Sequence, residues 1–163
     1  MRALGFLAQG EQSPTFDLLT IDGKEFIIAR STRCDAHDTT QCSRSAVPLL
    51  VEGERILPVT LERADGSCEV GAPFVVEAMV ERATRSGAAE LTYGVSLAPE
   101  GRALRLRETV RVIERDREGS EIPSATSVID GELRFHISLR GERWRADRAN
   151  LLERAVAELG ERG

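Results

Sequence analysis

The sequence predicts a mainly-β fold: an antiparallel β-sandwich or barrel ending in one C-terminal amphipathic α-helix, in a single domain over residues 1–163. Three observations point there. About eight segments alternate apolar and polar residues with period two, as strands do when one face lies in a core and the other in water. Gly, Asp-Gly and Gly-Ala-Pro punctuate those segments at the spacing of a strand-turn-strand chain. Only the last stretch changes period, where Leu151, Leu152, Ala155, Val156 and Leu159 fall on one helical stripe.

The elements follow in order. Residues 16–21 and 24–30 flank Asp22-Gly23, a pair suited to a two-residue type I′ hairpin. Residues 31–44 are polar, lack an apolar period and read as a loop. Strands are expected at 47–51 and 56–61, separated by Glu52-Gly53-Glu54. Asp65-Gly66 makes a turn, and Gly71-Ala72-Pro73 opens a strand at 74–80. Val76, Met79, Val80 and Ala83 would also suit a helix, but the β-branched run and the turn before it favour a strand. Segments 91–97 and 104–113 alternate throughout, and Leu133, Phe135, Ile137 and Leu139 repeat the pattern. A helix closes the chain over 147–160. Asp147 or Asn150 would cap it, the latter with Glu153 as capping-box partner, and Gly160 would sit at C′. Its stripe is expected to dock on the edge of the chain's own sheet, a subunit contact being the alternative.

Composition narrows the function classes. With 41% apolar and 30% charged residues, a chain of this length can close its own core. No apolar run approaches the ~20 residues that span a bilayer, and residues 1–10 do not read as a secretory leader. Residues 1–99 hold 14 acids against 9 bases, whereas 100–163 hold 13 of each, so the net charge of −5 lies in the first part. Such a balance argues against broad nucleic-acid binding, which needs a basic surface. Lys24 is the one lysine among 22 basic residues. Arginine forks suit carboxylate and phosphate, although the codon bias of a GC-rich bacterial genome gives the same excess. An odd cysteine count (Cys34, Cys42, Cys68) without a leader is read as thiols in a reducing cytoplasm.

A set of short motifs comes next: Ala29-Arg30-Ser31, Ser43-Arg44, and Asp65-Gly66-Ser67 with Gly71 beyond. Their order and spacing resemble the forkhead-associated (FHA) family of phosphothreonine-binding domains over residues 16–97. The resemblance implies an eleven-stranded β-sandwich with a binding site in the loops at one end. It further implies that Arg30 forks the phosphate, Ser43 donates a hydroxyl to it, Arg44 holds the peptide and Asp65 meets the peptide backbone. The chain departs from the family pattern at Ala29, Ala64 and Asp65, where the family has Gly and a hydroxyl-Asn pair; a carboxylate there repels phosphate. Residues 98–146 supply further strands outside the resemblance.

Two other groupings carry chemistry. Cys34, His37, Cys42 and Cys68 make up a Cys3His set, the donors of a closed zinc site. The same cysteines also read as small apolar residues at strand starts, with His37 in solvent. If strands 104–113 and 132–140 pair, Arg105, Arg107 and Arg111 align with Arg134, His136 and Arg140 as a candidate anion-binding face. Glu108 then falls on the opposite, apolar face. Neither histidine has a Ser or Cys partner in a strained turn, and no Gly-rich loop precedes a helix. The expected function is therefore a non-catalytic cytoplasmic binding or adaptor module, whose partner is another protein, in its sharpest form a phosphorylated one. An assembly subunit using the helix and the Arg-bearing face is the second reading, and a small-ligand-binding barrel the third. No cofactor is expected apart from zinc at the Cys3His set.

Overall fold

The computed structural model describes residues 11–34 and 42–162. They form β1 (Glu11–Ile21), β2 (Lys24–Cys34), β3 (Cys42–Glu52), β4 (Arg55–Pro58), β5 (Thr60–Glu62) and β6 (Cys68–Val70). Then come β7 (Phe74–Ala83), β8 (Gly87–Glu100), β9 (Ala103–Asp116), a 3-10 turn at Pro123–Ala125, β10 (Ser127–Ile137), β11 (Arg143–Ala146) and α1 (Leu151–Arg162). The mainly-β architecture with one C-terminal helix is as the alternation predicts.

All the strands belong to one sheet in the order β1-β2-β3-β7-β8-β9-β10-β11-β5-β6, with β4 paired to β3 off that path. The pairings are antiparallel except β11 with β5. β3 takes β2 along one edge and divides the other, pairing β7 through residues 43–46 and β4 through 49–52. Only Val59, fully buried, separates β4 from β5. The chain thus leaves the β3 ladder at Pro58 and joins β11 at Thr60, so the ring from β3 through β7–β11 and β5 is completed by the chain itself, which runs through Val59 into β4. Closure satisfies backbone groups that an open sheet would leave at its edges.

The main core fills the inside of this coiled sheet. Phe26 and Ile28 of β2 meet Trp144 of β11, with Phe74, Leu106, Leu133 and Phe135 beside them. Phe26 stands edge-on to Trp144 at 5.2 Å between ring centres. A second core lies under α1, where Leu151, Leu152 and Ala155 pack on Leu91, Tyr93, Val110 and Val112. The helix therefore uses its stripe within the chain, on the face of β8–β10 and not at a sheet edge. One strand face serves both cores. Leu104 and Leu106 of β9 enter the first, Val110 and Val112 the second, and Glu108 lies between them.

Several local expectations are corrected. The reading of 31–44 as a loop fails at both ends, because Ser31 to Cys34 pair with Cys42 to Ser45 in a regular ladder whose polar side chains carry no apolar signature. Segment 56–61 breaks at Val59 because its two halves pair with different partners. β10 stops at Ile137, so Leu139 and Arg140 occupy the following turn, closed by Gly141 at φ 85° donating its N–H to Ser138 O. A Cβ on Gly141 would lie 2.9 Å from Lys24 Cδ and 3.2 Å from Phe26, so glycine permits this close approach. Asn150 caps α1, its Oδ1 accepting the Glu153 N–H at 2.8 Å, whereas Asp147 instead accepts the Arg134 N–H. Gly160 lies inside the helix and not at C′. The strands β6 and β11 are too short for a period to show. Among the described residues no helix is long and apolar enough to cross a membrane.

Candidate functional site

The residues implied by the FHA resemblance lie on two strands, β2 and β3, and a turn. Directly opposed residues in an antiparallel ladder share a face. Arg30 is opposite Ala46 and Ser43 is opposite Arg33, and no bulge interrupts that ladder. Arg30 and Arg33 have opposite parity, so Arg30 and Ser43 project from opposite faces of the hairpin and do not converge on one point. Arg30 is engaged by Asp17, Nε to Oδ2 3.1 Å. Arg44 donates to Thr32 Oγ1 at 3.2 Å and lies 3.9 Å from Glu77. Asp65 sits apart in the turn between β5 and β6, where it accepts the Ser67 hydroxyl at 2.6 Å and the Ser67 N–H at 2.9 Å. The hydroxyl bond first, then the amide bond, hold the Asp65 carboxyl below its usual range.

The other two groupings also change. Cys34 and Cys42, directly opposed on β2 and β3, are joined in a disulfide. Two of the four expected zinc ligands are thus bonded to each other and offer no thiolate, which corrects both the Cys3His reading and the reading of all cysteines as thiols. Cys68 is an exposed free cysteine, and His37 lies outside the described residues. Among the described residues no cluster of His, Cys, Asp and Glu could hold a metal ion.

The arginine face is interleaved with acids from the neighbouring strand end. Arg105 pairs with Glu100 at 3.3 Å, and Arg134 with Glu100 at 3.4 Å and Glu132 at 3.1 Å. Arg107 lies opposite Glu132 in the ladder, Arg111 opposite Val128, and Arg140 is off the face in its turn. The excess of positive charge expected from one strand is largely cancelled across three.

The feature that concentrates polar chemistry in the interior is the seam between the two cores. Glu108, only 1% exposed, accepts the Tyr93 O–H and the Leu151 N–H on Oε1, each at 2.9 Å. Its Oε2 lies 3.6 Å from Arg154 Nη2. A strand carboxylate thereby meets the first turn of α1, where the helix dipole favours negative charge. Burial first, and then the adjacent Glu108 charge, push the Tyr93 phenol far above its ordinary value. The apolar environment on both sides of Glu108 was visible in the sequence as one acid in an otherwise apolar register. Its partners were not.

Beside this cluster a cleft of about 290 Å3 opens along the seam. Its floor is Phe74, Leu106, Leu133, Phe135 and the Tyr93 ring; Arg63, Asp65, Arg148 and Glu153 line it with Asn150. The cationic pair is held loosely by its own neighbours, Arg63 to Glu69 at 3.5 Å and Arg148 to Asp147 at 3.8 Å. Of the candidate binding residues singled out from sequence, Asp65 alone belongs to this cleft, where it is joined by Asn150 and Glu153 of the expected helix cap. The remainder come from β5 and the turn after it, from β7–β11 and from the start of α1 with the segment entering it, so no local motif marks them.

The fold and cleft define a class: a coiled β-sheet with a helix-capped apolar recess at a seam. No family model, curated protein or solved structure matches the chain.

Proposed function

We propose that the protein is a non-catalytic binding module that seats an apolar side chain of a partner protein's segment in the seam cleft. The observation that carries this is the cleft's composition: an aromatic and aliphatic floor beneath cations and carboxylates of both signs. A buried apolar anchor with a polar rim is how protein interfaces concentrate their binding energy. The volume lies just under the ~300–1,000 Å3 of small-molecule sites, which suits one anchor side chain better than a whole cofactor. Arg63 and Arg148 can donate to a peptide carbonyl, and Asp65 and Glu153 can accept from its N–H groups.

Ala149 lines the cleft from the segment before α1, so Ala149→Trp closes it without removing core atoms. Peptides selected from a displayed random library should share one large apolar residue. Calorimetric titration should show at least a ten-fold loss of affinity for Ala149→Trp, about 1.4 kcal/mol, with unchanged melting. Recovery of no peptide, or equal binding by Ala149→Trp, contradicts the reading. A phosphothreonine preference lost in Arg30→Ala would move the site to β2 instead.

A further inference from the structure

We infer that β1 is a homodimerisation strand, pairing antiparallel with β1 of a second copy about a two-fold axis through Leu18. Among the described residues the sheet path begins at β1, which pairs only with β2. Its other edge is a row of backbone donors and acceptors, and β6, at the opposite end of the path, has only three residues. The first part of β1 is blunted as edges usually are: Pro14 lacks an N–H, and the ladder to β2 shifts between Gln12 and Thr15. From Thr15 to Ile21 there is neither a proline nor a register shift, and Phe16 and Leu18 stand 60% and 75% exposed.

The register follows from which backbone groups are already used. Asp22 and Gly23, both at positive φ, form the tight turn, so Ile21 and Lys24 exchange hydrogen bonds. Alternation along the ladder then turns the N–H and C=O of Leu19, Asp17 and Thr15 towards β2. Those of Thr20, Leu18 and Phe16 face outward. An axis through Leu18 sets Leu18 against Leu18 and Phe16 against Thr20, so every outward group in this stretch finds a partner. An axis through Asp17 would oppose two carboxylates and set Thr20 against Pro14, which has no N–H to give. An axis through Leu19 would place Phe16 against the Asp22 turn. Only the Leu18 axis avoids each fault, and it sets Asp17, already paired with Arg30, against Leu19. On the outer face it also extends an apolar row in which Leu18 adjoins Ile27, Leu49 and Pro58. Self-complementarity of this kind is what a two-fold interface requires, and it is why a second copy fits this edge better than an unrelated strand.

Sedimentation equilibrium on the full chain tests the proposal. The wild type should approach twice the 17.9 kDa chain mass as concentration rises. Leu18→Lys sets two ammonium groups face to face and should weaken association at least a hundred-fold with the melting curve of the monomer retained. Leu18→Pro removes an outward N–H and should do the same, since that group makes no bond to β2. In a Cys68→Ser background, Leu18→Cys should cross-link to itself under mild oxidation and Asp17→Cys should not. A wild type that stays monomeric to millimolar concentration overturns the inference, as does a dimer that both Leu18 variants leave intact. Cross-linking of Asp17→Cys in preference to Leu18→Cys rejects the axis.

Discussion

Replacing Glu108 by Ala should loosen α1 from the sheet and destabilise the whole fold. The substitution strands the Tyr93 hydroxyl, which is buried and donates to Glu108. An unsatisfied buried hydroxyl costs about 1–3 kcal/mol. It also removes the acceptor of the Leu151 N–H, a loss of the same kind as deleting an N-cap, about 0.5–2 kcal/mol. Arg154 adds little, because its side chain is 39% exposed and can turn to water. The sum is roughly 2–5 kcal/mol, or about 4–20 °C in melting temperature for a chain of this size. Differential scanning calorimetry gives the total, and a double-mutant cycle with Tyr93→Phe isolates the shared bond. Because Tyr93→Phe removes the stranded hydroxyl, the double variant should be less damaged than the sum of the singles by about 1–3 kcal/mol. Hydrogen exchange at the Leu151 amide should accelerate in Glu108→Ala more than at Leu91. Strict additivity in the cycle, or a melting shift below about 2 °C, would refute the account of Glu108 as the link between strand and helix.

Other outcomes follow from the same core. Tyr93 is the chain's single tyrosine, so its ionisation can be followed alone by near-ultraviolet absorbance. Its folded-state value is raised above the ordinary 10.0, so in that window the unfolded chain binds fewer protons than the folded one. The contribution to stability is therefore complete below pH 10 and is lost as pH rises above it; phenolate should appear only together with unfolding, and a separate titration near pH 10 in folded protein would count against burial of this ring. Leu152→Ala should cost about 2–5 kcal/mol in urea unfolding, since Leu152 is buried under the helix, and should leave the mass in solution unchanged. A change of oligomeric state in that variant would mean that the helix stripe faces another subunit.

The physical reach of each signal explains how much was legible. Strand alternation and the helical stripe are local consequences of burial on one face, so the alternation of Leu104 to Val112 and the Leu151–Leu152–Ala155 stripe could be read directly. Asp22-Gly23 announced its hairpin because only certain residues adopt positive φ cheaply. Polar ladders such as Ser31 to Cys34 carry no such pattern, since backbone bonds alone hold them. Placement across strands depends on register. Arg30 and Ser43 can be matched to a motif by spacing, but only the β2–β3 ladder sets them on opposite faces. The parallel β11–β5 pairing that closes the ring joins residues about 80 positions apart, beyond any local pattern. Glu108 shows the division most plainly. By itself the sequence determined that this carboxylate lies on an apolar face. Its partners are 15 and 43 residues away, so only the tertiary structure decided that Tyr93 and the first turn of α1 would satisfy it. The same holds for the cleft, whose floor and rim are contributed by residues between Leu61 and Glu153 that meet only once both cores have formed.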